Sequence, residues 1–133
     1  MEFLVPVFVA IFIFFMSAVD GVSSAVQSEI FVRIVRILPI FRTMSLQTVQ
    51  IIVRKFAHAF EYAALGGSTT WAFRKPLGEK SKYLAFILST AFACSDEIHQ
   101  LFVAGRGGCI QDVLVDTIGA LIGISLVKLF SKS

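Results

Sequence analysis

The sequence predicts an all-α integral membrane protein: a bundle of about four transmembrane helices plus an amphipathic helix lying at the membrane interface. Three observations predict it. Of the 133 residues, 56% are hydrophobic, 16% are charged and 14 are Phe, with a mean hydropathy of +0.82; soluble domains average about 45–50% apolar and about 25% charged. Four long apolar runs follow one another along the chain. Ionisable residues interrupt the last three of them, chiefly toward one shared end of the bundle. The chain is short for more than one domain, so residues 1–133 read as a single one.

The first run is Phe3–Val19, uncharged and ended by Asp20-Gly21. It resembles the core of a signal peptide, but Glu2 is the only charged side chain before it and no small-residue cleavage site follows. It therefore reads as an uncleaved spanning helix. The second run, Phe56–Phe73, carries His58 and Glu61; the third, Tyr83–Val103, carries Asp96, Glu97 and His99; the fourth, Val113–Phe130, carries Asp116 and Lys128. Backbone polar groups in lipid must be satisfied within the segment, so runs of this length are helices.

The connections differ in kind. Arg74–Lys82 is short, with turn chemistry at Pro76-Leu77-Gly78, and Ala104–Gln111 is short and Gly-rich around Arg106. The link from Asp20 to Lys55 is long. Within it Ser28–Ile37 mixes Ile, Phe and Val with Arg33 and Arg36, as an interfacial helix ended near Pro39 would. Ser45 is placed to cap a helical extension, Leu46–Lys55, that continues into the second run. Trp71 and Tyr83 flank the short loop as interfacial anchors do.

The net charge of +3 is small and its basic residues are scattered, which gives nucleic-acid binding no footprint. Cys94 and Cys109 make no motif; Cys94 reads as a small core residue and a disulfide framework is not expected. Basic residues divide evenly between the two sides. Their concentration in the loop Arg74–Lys82 leans toward termini inside and the polar cluster facing the extracytoplasmic side.

Charge inside a bilayer is costly, so the cluster is a functional hypothesis by default. Spacing sets its faces. His58 and Glu61 are i,i+3, Asp96 shares a face with His99 and Gln100, and Asp112 and Asp116 are i,i+4. Gly119 and Gly123 extend the stripe of Asp112 and Asp116, so that face of the fourth helix is expected to be buried against a close neighbour, with Gly66 and Gly67 doing the same for the second.

Three segments carry a family resemblance. Arg54-Lys55-Phe56-Ala57-His58-Ala59-Phe60-Glu61-Tyr62-Ala63-Ala64-Leu65-Gly66, then Ser95-Asp96-Glu97-Ile98-His99-Gln100 through Gly105-Arg106, then Asp112-Val113-Leu114-Val115-Asp116-Thr117-Ile118-Gly119-Ala120 together resemble the signatures of the VanZ-like membrane protein family. Order and spacing agree over residues 54–123. Ala104 stands where the family commonly has a proline, and Cys109 where a small polar residue is usual. The family takes its name from a factor associated with teicoplanin resistance. The resemblance implies a small multi-pass protein of the cell membrane with a link to the cell envelope.

Two chemistries compete for the cluster. Asp96, Glu97, His99, His58 and Glu61 could form a catalytic site, either metal-free with a histidine as proton carrier or around a divalent metal, since Asp-x-x-His and His-x-x-Glu pairs on facing helices build such sites. The plainer reading is that the histidines hydrogen-bond neighbouring carboxylates. Arg54, Lys55, Gln100, Arg106, Asp112 and Asp116 would bind ligand, the cations holding an anionic group. For Asp112 and Asp116 the alternative is an ion-pair network with Arg106, Arg54 or Lys55. Whether the site is enzymatic stays open. The expected partner is a membrane lipid or a lipid-linked cell-wall precursor, with a glycopeptide antibiotic as the other candidate.

Overall fold

A computed structural model of the chain describes residues 2–19 and 21–130. Asp20, expected to end the first run, lies outside the described residues. Those residues form six helices and no strand: α1 Leu4–Ala18, α2 Gly21–Val35, α3 Pro39–Arg42, α4 Leu46–Leu77, α5 Lys80–Gln100 and α6 Ile110–Phe130.

Helix α4 organises the rest. It packs most extensively on α6, and α5, α1 and α2 also lie against it. The Ser45 side chain accepts the Thr48 N–H at 3.1 Å, so the N-cap falls where the sequence placed it. The expected extension and second run are one helix of 32 residues. The expected turn at Pro76-Leu77-Gly78 is shorter than the sequence suggested. Proline's fixed φ is helical, so Pro76 is accommodated in the last turn and the helix stops at Gly78 instead, where φ is 53°. The Gly78 N–H donates to the Arg74 carbonyl, and only Gly78 and Glu79 separate α4 from α5.

The α4–α6 contact depends on glycine. A Cβ at Gly66 would meet the Ala120 carbonyl oxygen at 2.6 Å, and Cβ atoms at Gly119 and Gly123 would overlap the carbonyl oxygens of Ala59 and Ala63. Backbone thus lies against backbone, which is why the Gly119–Gly123 stripe is buried as expected. Ile13 of α1, Tyr62 and Leu65 of α4, Ala93 of α5 and Ala120 of α6 make one buried cluster beside it.

Two expectations shift. The amphipathic helix begins at Gly21, not Ser28, and ends at Val35; Pro39 opens α3 because proline suits a first helical position. Val32 packs inward, while Ile30, Phe31 and Ile34 are exposed and Arg33 pairs with Glu29 at 2.7 Å. Cys94 is exposed rather than in the core, since the buried face of α5 runs through Ser89, Ala93, Asp96, Glu97 and Gln100.

Among the described residues one helix, Ile110–Phe130, is long and apolar enough to cross a membrane, and Leu4–Ala18 is apolar but shorter. Of the four expected spans, one meets both criteria of length and apolarity. Charged and polar residues in α4 and α5 lower their apolarity, and α1 has only 15 residues.

Candidate functional site

Three helices and one loop deliver the polar cluster. The loop after α5 is turned by Gly105, whose φ of 72° lies in the left-handed region that glycine tolerates. The Arg106 N–H closes on the Val103 carbonyl at 3.1 Å. The loop also lies close on the end of α5, because a Cβ at Gly108 would meet the Glu97 carbonyl oxygen at 2.6 Å.

Arg106 is bent back into the bundle. Its guanidinium reaches the Met16 carbonyl of α1 at 3.5 Å. Burial lowers its pKa from the usual guanidinium value, the neighbouring Arg54 pushes the same way, and Asp96, Glu61 and Glu97 oppose them. One arginine is thus within electrostatic reach of three carboxylates drawn from two helices. Arg106 stays charged, as guanidinium does in proteins.

A pocket of about 270 Å³ opens beside it, lined by Arg54, Lys55 and His58 of α4, by Arg106, and by Asp112 and Asp116 of α6. Lys55 pairs with Asp112 across the two helices. His58 Nδ1 sits 3.9 Å from a carboxylate oxygen of Asp116 and 3.9 Å from one of Glu61. Asp116 is fully buried, and neither of its carboxylate oxygens has a hydrogen-bond partner among the described residues.

The remaining predicted residues are placed differently. Gln100 donates to Asp96 at 3.0 Å, and both are buried. Glu97 accepts the Cys109 N–H at 2.6 Å and ties the loop to α5. His99 stacks on Phe14 of α1, with ring centroids 4.8 Å apart. Asp96, Glu97, His99 and Gln100 do not line the pocket. The structure therefore draws Arg54, Lys55, His58, Arg106, Asp112 and Asp116 together around one space. It sets Glu61 against His58 and directs Asp96, Glu97, His99 and Gln100 to contacts of their own. Among the described residues no three His, Cys, Asp or Glu side chains are grouped so as to hold a metal ion.

Sequence reasoning missed Tyr62 and the contribution of α1. Tyr62 is fully buried and its hydroxyl has no hydrogen-bond partner among the described residues. Its signal was available: it stands one turn after His58, on the same helical face. For Phe14 and Met16 there was no such signal, since spacing within a helix says nothing about which distant helix it meets.

A model of the VanZ/LLP1 family matches residues 3–131, nearly the whole chain. No curated protein and no solved structure matches.

Proposed function

We propose that this chain, which belongs to the VanZ/LLP1 family, is a multi-pass membrane protein whose extracytoplasmic polar site binds the anionic headgroup of an envelope lipid or lipid-linked cell-wall precursor and performs acid–base chemistry on it. The observation that carries this reading is the pocket: Arg54, Lys55 and Arg106 converge on it beside His58, whose Nδ1 lies 3.9 Å from a carboxylate oxygen of Asp116 and 3.9 Å from one of Glu61. Arginine and lysine at a membrane-adjacent opening are the groups that hold phosphate.

The membrane placement has its own support. Lys55 and Lys75 are 20 residues apart in α4, which is about 30 Å at 1.5 Å per residue and the thickness of a bilayer's hydrocarbon core. The outer surfaces of all the long helices are apolar: Phe8 and Phe15 of α1, Phe56 and Phe60 of α4, Ile87 of α5, and Ile118 and Leu129 of α6 are exposed. Apolar surface on that scale marks a membrane or partner contact. On this reading α1, α4, α5 and α6 are the spans and α2 lies at the interface.

In the proposed chemistry His58 carries the proton, and Asp116 and Glu61 both face its Nδ1. Arg106, Arg54 and Lys55 bind the anionic group and offset the carboxylates. Asp112 orients Lys55, Glu97 fixes the loop that presents Arg106, and Asp96 balances the charge of Arg106 from below.

The test compares membranes carrying wild-type protein with membranes carrying Arg106→Gln at matched abundance. Lipid extracts, including polyprenyl phosphates and cell-wall precursors, are profiled by mass spectrometry. A species should appear or vanish with wild type alone, in excess of the protein present. Identical profiles from two folded proteins would reject turnover. They would support the second reading, stoichiometric binding of a lipoglycopeptide or its lipid-linked target, which the engagement of Asp96 by Gln100 and of Glu97 by the Cys109 N–H favours.

Sidedness has a separate test. Cys109 is half-buried in the loop beside the pocket. A membrane-impermeant thiol reagent should label it in intact cells, whereas labelling that requires permeabilisation would reverse the orientation.

A further inference from the structure

A second cationic space lies at the other end of the bundle. Arg74 and Lys75 in the last turns of α4, Lys82 in the first turn of α5 and Lys128 near the end of α6 line a cavity of about 630 Å³ together with Glu79. Arg74 is 16 residues beyond His58, about 24 Å along α4, and the two sites share no lining residue.

The cations outnumber their carboxylates. Lys75 donates to Glu2 at 3.0 Å and Lys82 pairs with Glu79. The Lys75 ammonium holds the Glu2 carboxyl below the usual carboxylate range. Arg74 lies over the face of Trp71, 3.2 Å from the ring centroid, an arrangement that leaves the guanidinium edge available to an anion. Among the described residues the cavity lining holds four cations, Arg74, Lys75, Lys82 and Lys128, and one carboxylate, Glu79.

Apolar space adjoins the charged one. Val127 lines the cavity and also lines a groove of about 360 Å³ that continues along Trp71, Ser68 and Gly67 of α4 to Val5 of α1. A charged cradle and an apolar channel meeting at one residue have the polarity profile of a lipid, headgroup first and chain second.

We propose that this cavity and its groove bind an anionic phospholipid, with the phosphate held by Arg74, Lys82 and Lys128 and an acyl chain lying past Val127 and Trp71. The site goes beyond the function proposed above and uses none of the groups around Arg106.

The experiment takes the purified full chain in detergent, adds phosphatidylglycerol or phosphatidylcholine, and counts retained lipid by native mass spectrometry. Phosphatidylglycerol should be retained about tenfold better, and Arg74→Gln with Lys128→Gln should abolish the preference. Lys80→Gln removes an exposed charge at the same end that does not line the cavity, and it should keep the preference. Val127→Trp fills the shared wall and should weaken retention with every charge in place. If the double variant lacks native circular dichroism, Lys128→Gln alone, at an exposed position, provides the reading. Equal retention of the two lipids overturns the proposal, as does equal loss in Lys80→Gln. Inorganic phosphate binding as tightly as phosphatidylglycerol also overturns it, because the groove would then contribute nothing.

Discussion

Gly123→Val should separate α6 from α4 and lower the stability of the bundle by about 3 kcal/mol, the upper part of the range for overpacked cores. The atom that a Cβ at Gly123 meets is the backbone carbonyl oxygen of Ala63. A flexible side chain could swing aside, but a helical carbonyl moves only with its helix. Trimming the neighbour, for instance by Ala63→Gly, should therefore give no rescue, which separates this clash from an ordinary side-chain collision. Gly119→Val should behave alike against Ala59. Gly67→Ala should be much milder, because its Cβ would stand 3.3 Å from the Gly123 carbonyl oxygen and a shift of a few tenths of an ångström accommodates it. Thermal unfolding of the three variants in one detergent makes the comparison. A Gly123→Val protein that melts with wild type would mean that α4 and α6 do not approach to backbone contact.

That contact was legible in the sequence, and the reason is physical. Small residues at four-residue spacing in an apolar helix let a neighbouring helix approach closely, and Asp116 shares that stripe with Gly119 and Gly123, so its burial followed from α-helical geometry, whereas Asp112, one turn nearer the helix end, stays part exposed. The run boundaries were legible for a similar reason: charge and glycine stop an apolar run wherever it lies. The reach of α4 from the Ser45 cap into the second run was legible as well, since a capping residue precedes the extension, but its continuation through Pro76 to Leu77 was not, because the sequence marks Pro76-Leu77-Gly78 as a turn. Nor was the division of the acids. Spacing put His58 with Glu61 and Asp96 with His99, but it could not say that Phe14 would take the His99 ring or that the Cys109 N–H would take Glu97. The first joins residues far apart in sequence and depends on how α1 packs against α5, and the second depends on how the loop after α5 folds back on that helix.

The division of the acids sets the second large effect. Asp116→Asn should leave the fold intact and reduce lipid turnover at least about 100-fold, the scale of a lost acid–base partner. Asp116 is fully buried with neither oxygen hydrogen-bonded among the described residues, and His58 Nδ1 stands 3.9 Å away. An unsatisfied carboxylate in such a place destabilises the protein, so the isosteric amide should match or exceed wild type in thermal stability. A residue kept for packing would show the reverse pattern, with activity following stability. Asp112 offers the contrast: its pair with Lys55 is about one-third exposed on both sides, and Asp112→Asn should cost under about 1 kcal/mol. If Asp116 and His58 act as one unit, His58→Gln and Asp116→Asn should each remove most of the activity and their combination should remove little more. Multiplied losses in the double variant, or full turnover in Asp116→Asn, would detach His58 from Asp116 and leave the pocket as a binding site for the anionic headgroup. The reason to expect coupling is that His58 Nδ1 stands 3.9 Å from the fully buried Asp116, so the two groups can share one proton, and removing either takes away the other's buried exchange partner.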